Sequence, residues 1–274
     1  MSKKTLPHII IAAVIVLTMA AILLVRNCGR KDNAGGHLPE AVSVLIDDMI
    51  DIEGGQYKMG ATKEQGDTVD LDEQPVHKVN VEDFLICRYE VTQKLWTTIM
   101  DYNPSRFKGD DYPVENVLYD SCLVFIERLN ELTGMSFRLP TEAEWEYCAR
   151  GGKDVEVQYR FSGADDADSV AWYVANSQKT THAVGGKNPN SLGLYDMSGN
   201  VSEWCSDDYQ EYEKGDPNVA TLPKTVGSKV VRGGSWRSSL DDLRVARRAY
   251  HSPDTTFPYV GLRLALEDRR VRRQ

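Results

Sequence analysis

Cysteine, histidine and basic charge are all scarce in this sequence. Five cysteines and five histidines are spread over 274 residues. Cys87, Cys122, Cys148 and Cys205 are far apart in the chain, and no C-x-x-C occurs, which excludes the common paired-cysteine metal spacings. No two of His8, His37, His77, His182 and His251 stand four apart, so a helix-borne histidine metal pair is excluded too. Neither G-x-S-x-G nor G-x-x-x-x-G-K-[ST] is present, which removes the nucleophile elbow and the P-loop. A fixed-period repeat is also missing, so solenoids and propellers are out. The formal net charge is −9, the wrong sign for a nucleic-acid binder, and no nucleic-acid partner is expected.

What is present divides the chain in two. Residues 1–36 hold Lys3, Lys4, Arg26, Arg30 and Lys31 against Asp32. The remaining residues, 37–274, carry 27 basic and 40 acidic side chains, a net of −13. The head contains an uncharged apolar run, Ile9 to Val25, of 17 residues, at the short end of what a helix needs to cross a bilayer. Residues 1–28 therefore read as an N-terminal membrane anchor, with residues 9–25 as the transmembrane helix. A cleaved signal segment, or lipidation at Cys28, is the alternative; no A-x-A pattern follows the run, and Arg26-Asn27 stand where small residues would precede a lipidated cysteine. The flanking charges leave the orientation open. Residues 29–44 read as a linker, 45–266 as the folded domain and 267–274 as a basic tail.

Helical periodicity is limited to Val91–Asp101, Tyr119–Leu132 and a segment from Thr141 to about Arg150. The last opens with Thr141-Glu142-Ala143-Glu144, a capping box, and Gly151-Gly152 ends it. Strands are expected at Ile50–Ile52, Tyr57–Met59, Val76–Val81, Phe84–Ile86, Val230–Arg232, Leu243–Arg247 and Val260–Ala265. Few helices, short strands and long loops indicate an α+β domain whose loops need tying down by calcium, buried aromatics or disulfides. Cys122 and Cys148 fall on apolar helical faces and read as packed core thiols. His77 reads as a structural strand residue, and His182 and His251 as loop residues.

Six segments occur in a telling order: residues 50–60 (IDIEGGQYKMG), Glu90-Val91-Thr92, residues 138–152 (RLPTEAEWEYCARGG), residues 193–205 (GLYDMSGNVSEWC), residues 231–236 (VRGGSW) and residues 261–265 (GLRLA). Together they resemble the formylglycine-generating enzyme, or sulfatase-modifying factor, family over about 45–274. The resemblance implies a loop-rich variant of the C-type lectin fold. It also implies a location outside the cytoplasm, periplasmic or at the cell surface, and with it a bacterial envelope setting.

The family's enzymes oxidise a sulfatase cysteine with two copper-binding cysteines. The first follows R-G-G-S-aromatic by two residues and the second comes five later; these places hold Ser238 and Leu243. Soft thiolates suit Cu(I), whereas serine and leucine do not. Copper and formylglycine formation are therefore not expected. Iron-dependent relatives use three histidines on a separate helical domain; with no i,i+4 histidine pair and no such domain read in the sequence, a non-haem iron site is not expected.

The resemblance further implies a structural calcium on Asp196-Met197-Ser198-Gly199-Asn200-Val201-Ser202-Glu203. Asp196 and Glu203 would give side-chain oxygens, and Gly199 and Val201 backbone oxygens, as a hard cation requires. Ser202 stands where the family usually has Trp, and it creates the sequon Asn200-Val201-Ser202. The family's second calcium site, at Asn176, is not expected because the loop after it is shortened.

The groove that receives an extended peptide in the enzymes would hold Trp236, Arg237, Ser238, Leu243, Arg244, Arg247 and Arg248. Arginine forks and an aromatic anchor suit an acidic group or peptide, although Arg232, Arg244 and Arg263 could instead pair with buried acids. Three functions follow. The first is a membrane-anchored, non-catalytic module for a peptide or envelope partner. The second is a family enzyme with altered chemistry, and the third a C-type-lectin-like ligand receptor. The first is preferred.

Overall fold

The computed structural model describes residues 37–153, 155–212 and 227–267. The proposed membrane segment, residues 9–25, and the basic tail from residue 268 lie outside them. Among the described residues no helix is long and apolar enough to cross a membrane. The elements below belong to one unit that begins at Pro39.

The first element, α1 (Glu40–Asp47), lies partly where the sequence suggested a linker up to residue 44. Val42 and Leu45, one turn apart, are both buried, and that stripe is enough to dock a short helix. It packs on α2 (Gln93–Met100), whose N-cap Thr92 accepts the Leu95 N–H at 3.2 Å. Next comes α3 (Tyr119–Thr133), with Cys122, Phe125, Ile126 and Leu129 buried along one face. Phe125 stacks on Trp96 of α2 at 5.0 Å between ring centroids. The expected capping box opens α4 (Glu142–Ala149). Thr141 Oγ1 accepts the Glu144 N–H at 3.2 Å, and Glu144 accepts the Thr141 N–H at 2.8 Å. A one-turn helix, α5 (Ala167–Val170), completes the set.

The strands form three sheets. β1 (Met49–Ile52) and β4 (Phe84–Cys87) pair antiparallel, Ile50 opposite Ile86. β10 (Ala265–Glu267) joins β4 on its other edge and β5 (Phe137–Arg138) beyond it. β2 (Gly55–Met59) pairs with β3 (His77–Val81). In the third sheet β7 (Lys229–Arg232) lies between β8 (Ala249–His251) and β6 (Ser202–Asp208), and β9 (Val260–Gly261) runs parallel to β6. Two expectations need correction. Leu243–Arg247 is not a strand: it is the end of a 3-10 turn and a bend, and the strand begins at Ala249. The run Val260–Ala265 splits between two sheets, because Leu262, Arg263 and Leu264 bridge β9 and β10 while fully buried. His77 lies in β3 as expected, while His251 ends β8 rather than lying in a loop.

The main core gathers Ile52, Phe84, Ile86, Trp145, Tyr147, Cys148, Leu194, Met197, Cys205 and Val230. Cys87, Cys122, Cys148 and Cys205 are free, buried thiols, as read for Cys122 and Cys148. The long loops are held by charge. Arg244 forks Glu73 at 2.5 and 2.7 Å, Arg248 forks Glu142 at 2.7 and 2.8 Å, and Arg263 grips Glu203 at 2.7 and 3.0 Å. Arg232 binds Glu146, which also takes Arg150 at 2.8 Å. All of these groups are buried. Each fork offsets a large desolvation penalty only because its geometry is bidentate, so losing one partner is costly. These pairs, rather than disulfides, join segments up to 171 residues apart.

Candidate functional site

The two positions that correspond to copper cysteines differ in environment. Ser238 is half-buried; its Oγ accepts the Ser235 N–H at 3.0 Å, and its carbonyl accepts the Val174 N–H at 3.2 Å. Leu243 is 0 % exposed and packs with Phe161, Ala167, Val170, Ala171 and Tyr173. Dispersion and burial reward a leucine there, whereas a metal-bound thiolate would need polar company. The four described cysteines offer no substitute. Burial pushes Cys87 up to about 11 and raises Cys122, Cys148 and Cys205 as well, the opposite of the lowered value a reactive thiolate shows. The residues present do not fit a copper centre.

The 196–203 loop is shaped by left-handed backbone at Asp196 (φ 57°), Gly199 (φ 90°) and Asn200 (φ 55°). At Gly199 an added Cβ would meet the Trp172 carbonyl oxygen at 2.3 Å, so this turn tolerates only glycine. Asn200 is buried and donates to Glu90 at 2.7 Å, so the folded loop leaves no room for a glycan on this sequon. Asp196 accepts the Gly185 N–H at 2.7 Å through Oδ2, while its buried Oδ1 has no hydrogen-bond partner among the described residues. Glu203 is occupied on both oxygens, by Arg263 and by the Trp145 Nε1–H at 2.7 Å. Val201 donates its N–H to Glu90 at 3.0 Å.

Three buried carboxylates, Glu90, Asp196 and Glu203, thus share one guanidinium, Arg263. Burial first, then the charges of Asp196 and Glu203, raise Glu90 well above its ordinary value. Burial also pushes Asp196 up to about 6, against the pull of the Gly185 N–H and Arg263. A buried carboxyl with an orphaned hard oxygen, as at Asp196, fits a hard cation. Glu203 fits less well, since a cation would have to draw it from Arg263 or Trp145. Asn176, at the family's second calcium position, which is not claimed as a site from the sequence, bonds the Tyr173 N–H, Asp168 and the Ala171 carbonyl.

The groove residues separate into two groups. Arg244 and Arg248 are buried in their forks and leave the surface, as do Arg232 and Arg263. Arg247 is tied to Asp70, Asp242 and Glu73. Trp236 and Arg237 stay at the surface, beside Ser238. Trp236 donates Nε1–H to the Pro258 carbonyl at 2.9 Å and meets Phe107 edge to face at 5.4 Å. Arg237 lies over the Tyr259 ring at 4.9 Å, and Arg106 over Phe107 at 5.3 Å. Val174 and Leu240, 55 % and 44 % exposed, flank Ser238 in the chain contacts or sequence. Nothing local in the sequence marks Arg106, Phe107 or Tyr259, because the loop at 103–109 and the segment 257–259 meet only through tertiary contacts.

This assembly of short sheets, few helices and forked arginines is that of a sulfatase-modifying-factor domain. The chain matches the sulfatase-modifying factor enzyme 1-like domain over residues 36–268 and belongs to that family. It is 28 % identical to the chaperone protein LppX of Paenibacillus barcinonensis, over 91 % of this chain and 97 % of that one. It is 32 % identical to the serine/threonine-protein kinase Pkn1 of Chlamydia trachomatis over 81 % of this chain, but spans only 38 % of that relative's length. Among solved structures it resembles Treponema denticola variable protein 1, with TM-score 0.70 and 31 % identity over 80 % of this chain and 95 % of that one.

Proposed function

We propose that this protein is a membrane-anchored, extracytoplasmic binding module that holds an extended peptide or envelope partner on the Trp236–Ser238 surface. It does not form formylglycine. The observation that carries this reading is Leu243, packed at 0 % exposure where the second copper thiolate would be needed. The near full-length likeness to a protein named as a chaperone supports binding rather than oxidation. The apolar run at 9–25 supports the anchor.

Calcium is a structural part of the proposal. Asp196 would supply a side-chain oxygen, Gly199 and Val201 would supply backbone oxygens, and Glu203 would stay with Arg263. The ion would neutralise the carboxylates around Glu90 and fix the loop. Its role is placement of backbone, with no chemical step.

The test uses the full chain in detergent with calcium, Cu(I), oxygen and a Cys-x-Pro-x-Arg peptide, read by mass spectrometry. An unchanged peptide beside an active control enzyme is expected. Conversion to the aldehyde would overturn the non-oxidase reading. Retention of the full chain in carbonate-washed membranes, with the domain digested from outside, checks the anchor.

A second reading has its own support. The likeness to a variable protein favours a ligand receptor on a C-type-lectin-like frame. That reading expects residues 236–259 to differ between isolates while 138–152 stay fixed, which sequencing of the gene decides.

A further inference from the structure

We infer that the surface bracketed by Phe107, Trp236 and Tyr259 selects a carboxylate-bearing peptide, with Arg106 and Arg237 as its two recognition groups. The inference rests on the peptide-binding reading above and names the chemistry of the peptide.

The first support comes from how arginine is used in this domain. Among the described residues, Arg88, Arg138, Arg150, Arg160, Arg232, Arg244, Arg247, Arg248 and Arg263 all lie within ion-pair distance of a carboxylate. Arg128 gives its guanidinium to the Ile99 carbonyl at 3.4 Å. Arg106 and Arg237 are exposed and, among the described residues, form no ion pair; each lies over an aromatic ring, at 5.3 and 4.9 Å, as Arg138, Arg160, Arg232 and Arg248 do beside their acids. A guanidinium held against a ring keeps its N–H edge available, and that edge is the fork that matches a carboxylate. In a domain of net charge −13, acids are plentiful, yet among the described residues none lies within ion-pair distance of these two groups, although Glu115 feels the charge of Arg106 from farther off.

The second support is that the two arginines belong to one built surface. Phe107, under Arg106, meets the Trp236 ring, and Trp236 donates to Pro258, the neighbour of Tyr259 under Arg237. The two loops are locked together. Asn116 donates its N–H to the Phe257 carbonyl at 3.0 Å and its amide to the Pro104 carbonyl at 3.1 Å. Gln93 holds the Phe107 carbonyl at 2.7 Å, and Glu115 accepts the Phe107 N–H at 2.9 Å. Such a surface loses little freedom when it is occupied. Half-buried Trp236, Phe107 and Tyr259 offer apolar faces between the two cations, the mix of aromatic and arginine that anchors peptide interfaces. Charge complementarity therefore assigns an acidic occupant: an extended segment with Asp or Glu spaced around an apolar side chain.

The experiment is selection of a random dodecamer peptide library on the immobilised full chain in detergent. It compares wild type, Trp236→Ala, Arg106→Gln with Arg237→Gln, and the exposed control Lys78→Gln. Thermal melting confirms that each variant is folded. Wild type and Lys78→Gln are expected to enrich peptides rich in Asp and Glu beside an apolar residue. The double arginine variant should keep the apolar preference and lose the acidic one. A selected peptide should bind about 10-fold more weakly for each arginine replaced, the worth of one charge-assisted hydrogen bond. Enriched peptides that depend on Trp236 without acidic excess would overturn this inference and leave the peptide site standing. An acidic excess that survives the double variant, or falls equally with Lys78→Gln, would overturn it too. No enrichment at all would sink both readings together.

Discussion

Arginine does two different jobs in two regions of this molecule. In the interior, Arg232, Arg244, Arg248 and Arg263 are buried to 3 % exposure or less; Arg244, Arg248 and Arg263 each fork a glutamate from a distant segment, and Arg232 bonds Glu146 through one nitrogen. At the surface, Arg106 and Arg237 are exposed and lie over aromatic rings, at 5.3 and 4.9 Å from the ring centroids. The interior set replaces the regular secondary structure that long loops lack. The surface set forms no ion pair between segments among the described residues; Arg237 touches the 257–259 segment only through the Tyr259 ring. The contrast teaches that an arginine-rich C-terminal stretch is mostly architecture, and that cations without an acid partner are where the proposed binding role has to be tested.

The largest effect should come from breaking an interior fork. Arg263→Leu leaves Glu203 buried without its countercharge, and should destabilise the domain by about 3–5 kcal/mol, read as a lower urea midpoint. Acid probes the same set without mutation. Burial alone would raise Glu146 above its ordinary 4.5, but Arg150, Arg232 and the Gly60 N–H outweigh it and hold it lower. The folded state therefore stays charged where the unfolded chain takes up a proton. Stability from this group is complete above about pH 4.5 and is lost as pH falls through the lowered folded value. Melting temperature should drop through that window, and should vary less with pH in Glu146→Gln, which starts lower at neutral pH.

Intermediate effects belong to the 196–203 loop and to the cap of α4. Calcium at 100 times its dissociation constant should stabilise the wild type by about 2.7 kcal/mol. Asp196→Asn should abolish that shift, and a wild type indifferent to calcium would remove the ion from the proposal. Thr141→Ala deletes the cap of α4 and should cost about 1 kcal/mol, seen by urea titration. The smallest effect is expected at the surface. Arg237→Gln should change stability by less than about 0.5 kcal/mol. A larger loss in melting experiments would mean that Arg237 is structural after all, and would erase the contrast.

Local chemistry was readable where partners are close in sequence. The capping box at Thr141 and Glu144 is a matter of three residues, and it formed as spelled. The buried stripe of α3 followed from its spacing. Leu243–Arg247 misled because its apolar and basic pattern looks like a strand, whereas Leu243 fills a pocket in one cluster and Arg244 turns away to Glu73. The helix at 40–47 was missed because a two-residue apolar stripe is too short to show periodicity. Of the groove residues, Trp236 and Arg237 could be named from the motif beside them. Arg106, Phe107 and Tyr259 could not, since nothing local distinguishes a loop arginine that will find a ring from one that will find an acid.

The sequence alone determined the family, through six motifs in order, and the absence of thiols at 238 and 243, because identity and order survive without coordinates. It also carried the caps and helical faces, which are set by neighbours a turn away. Only the tertiary structure decided which arginines are neutralised and which are free. That choice depends on which carboxylates come within about 3 Å after folding, and chain separation places no bound on it.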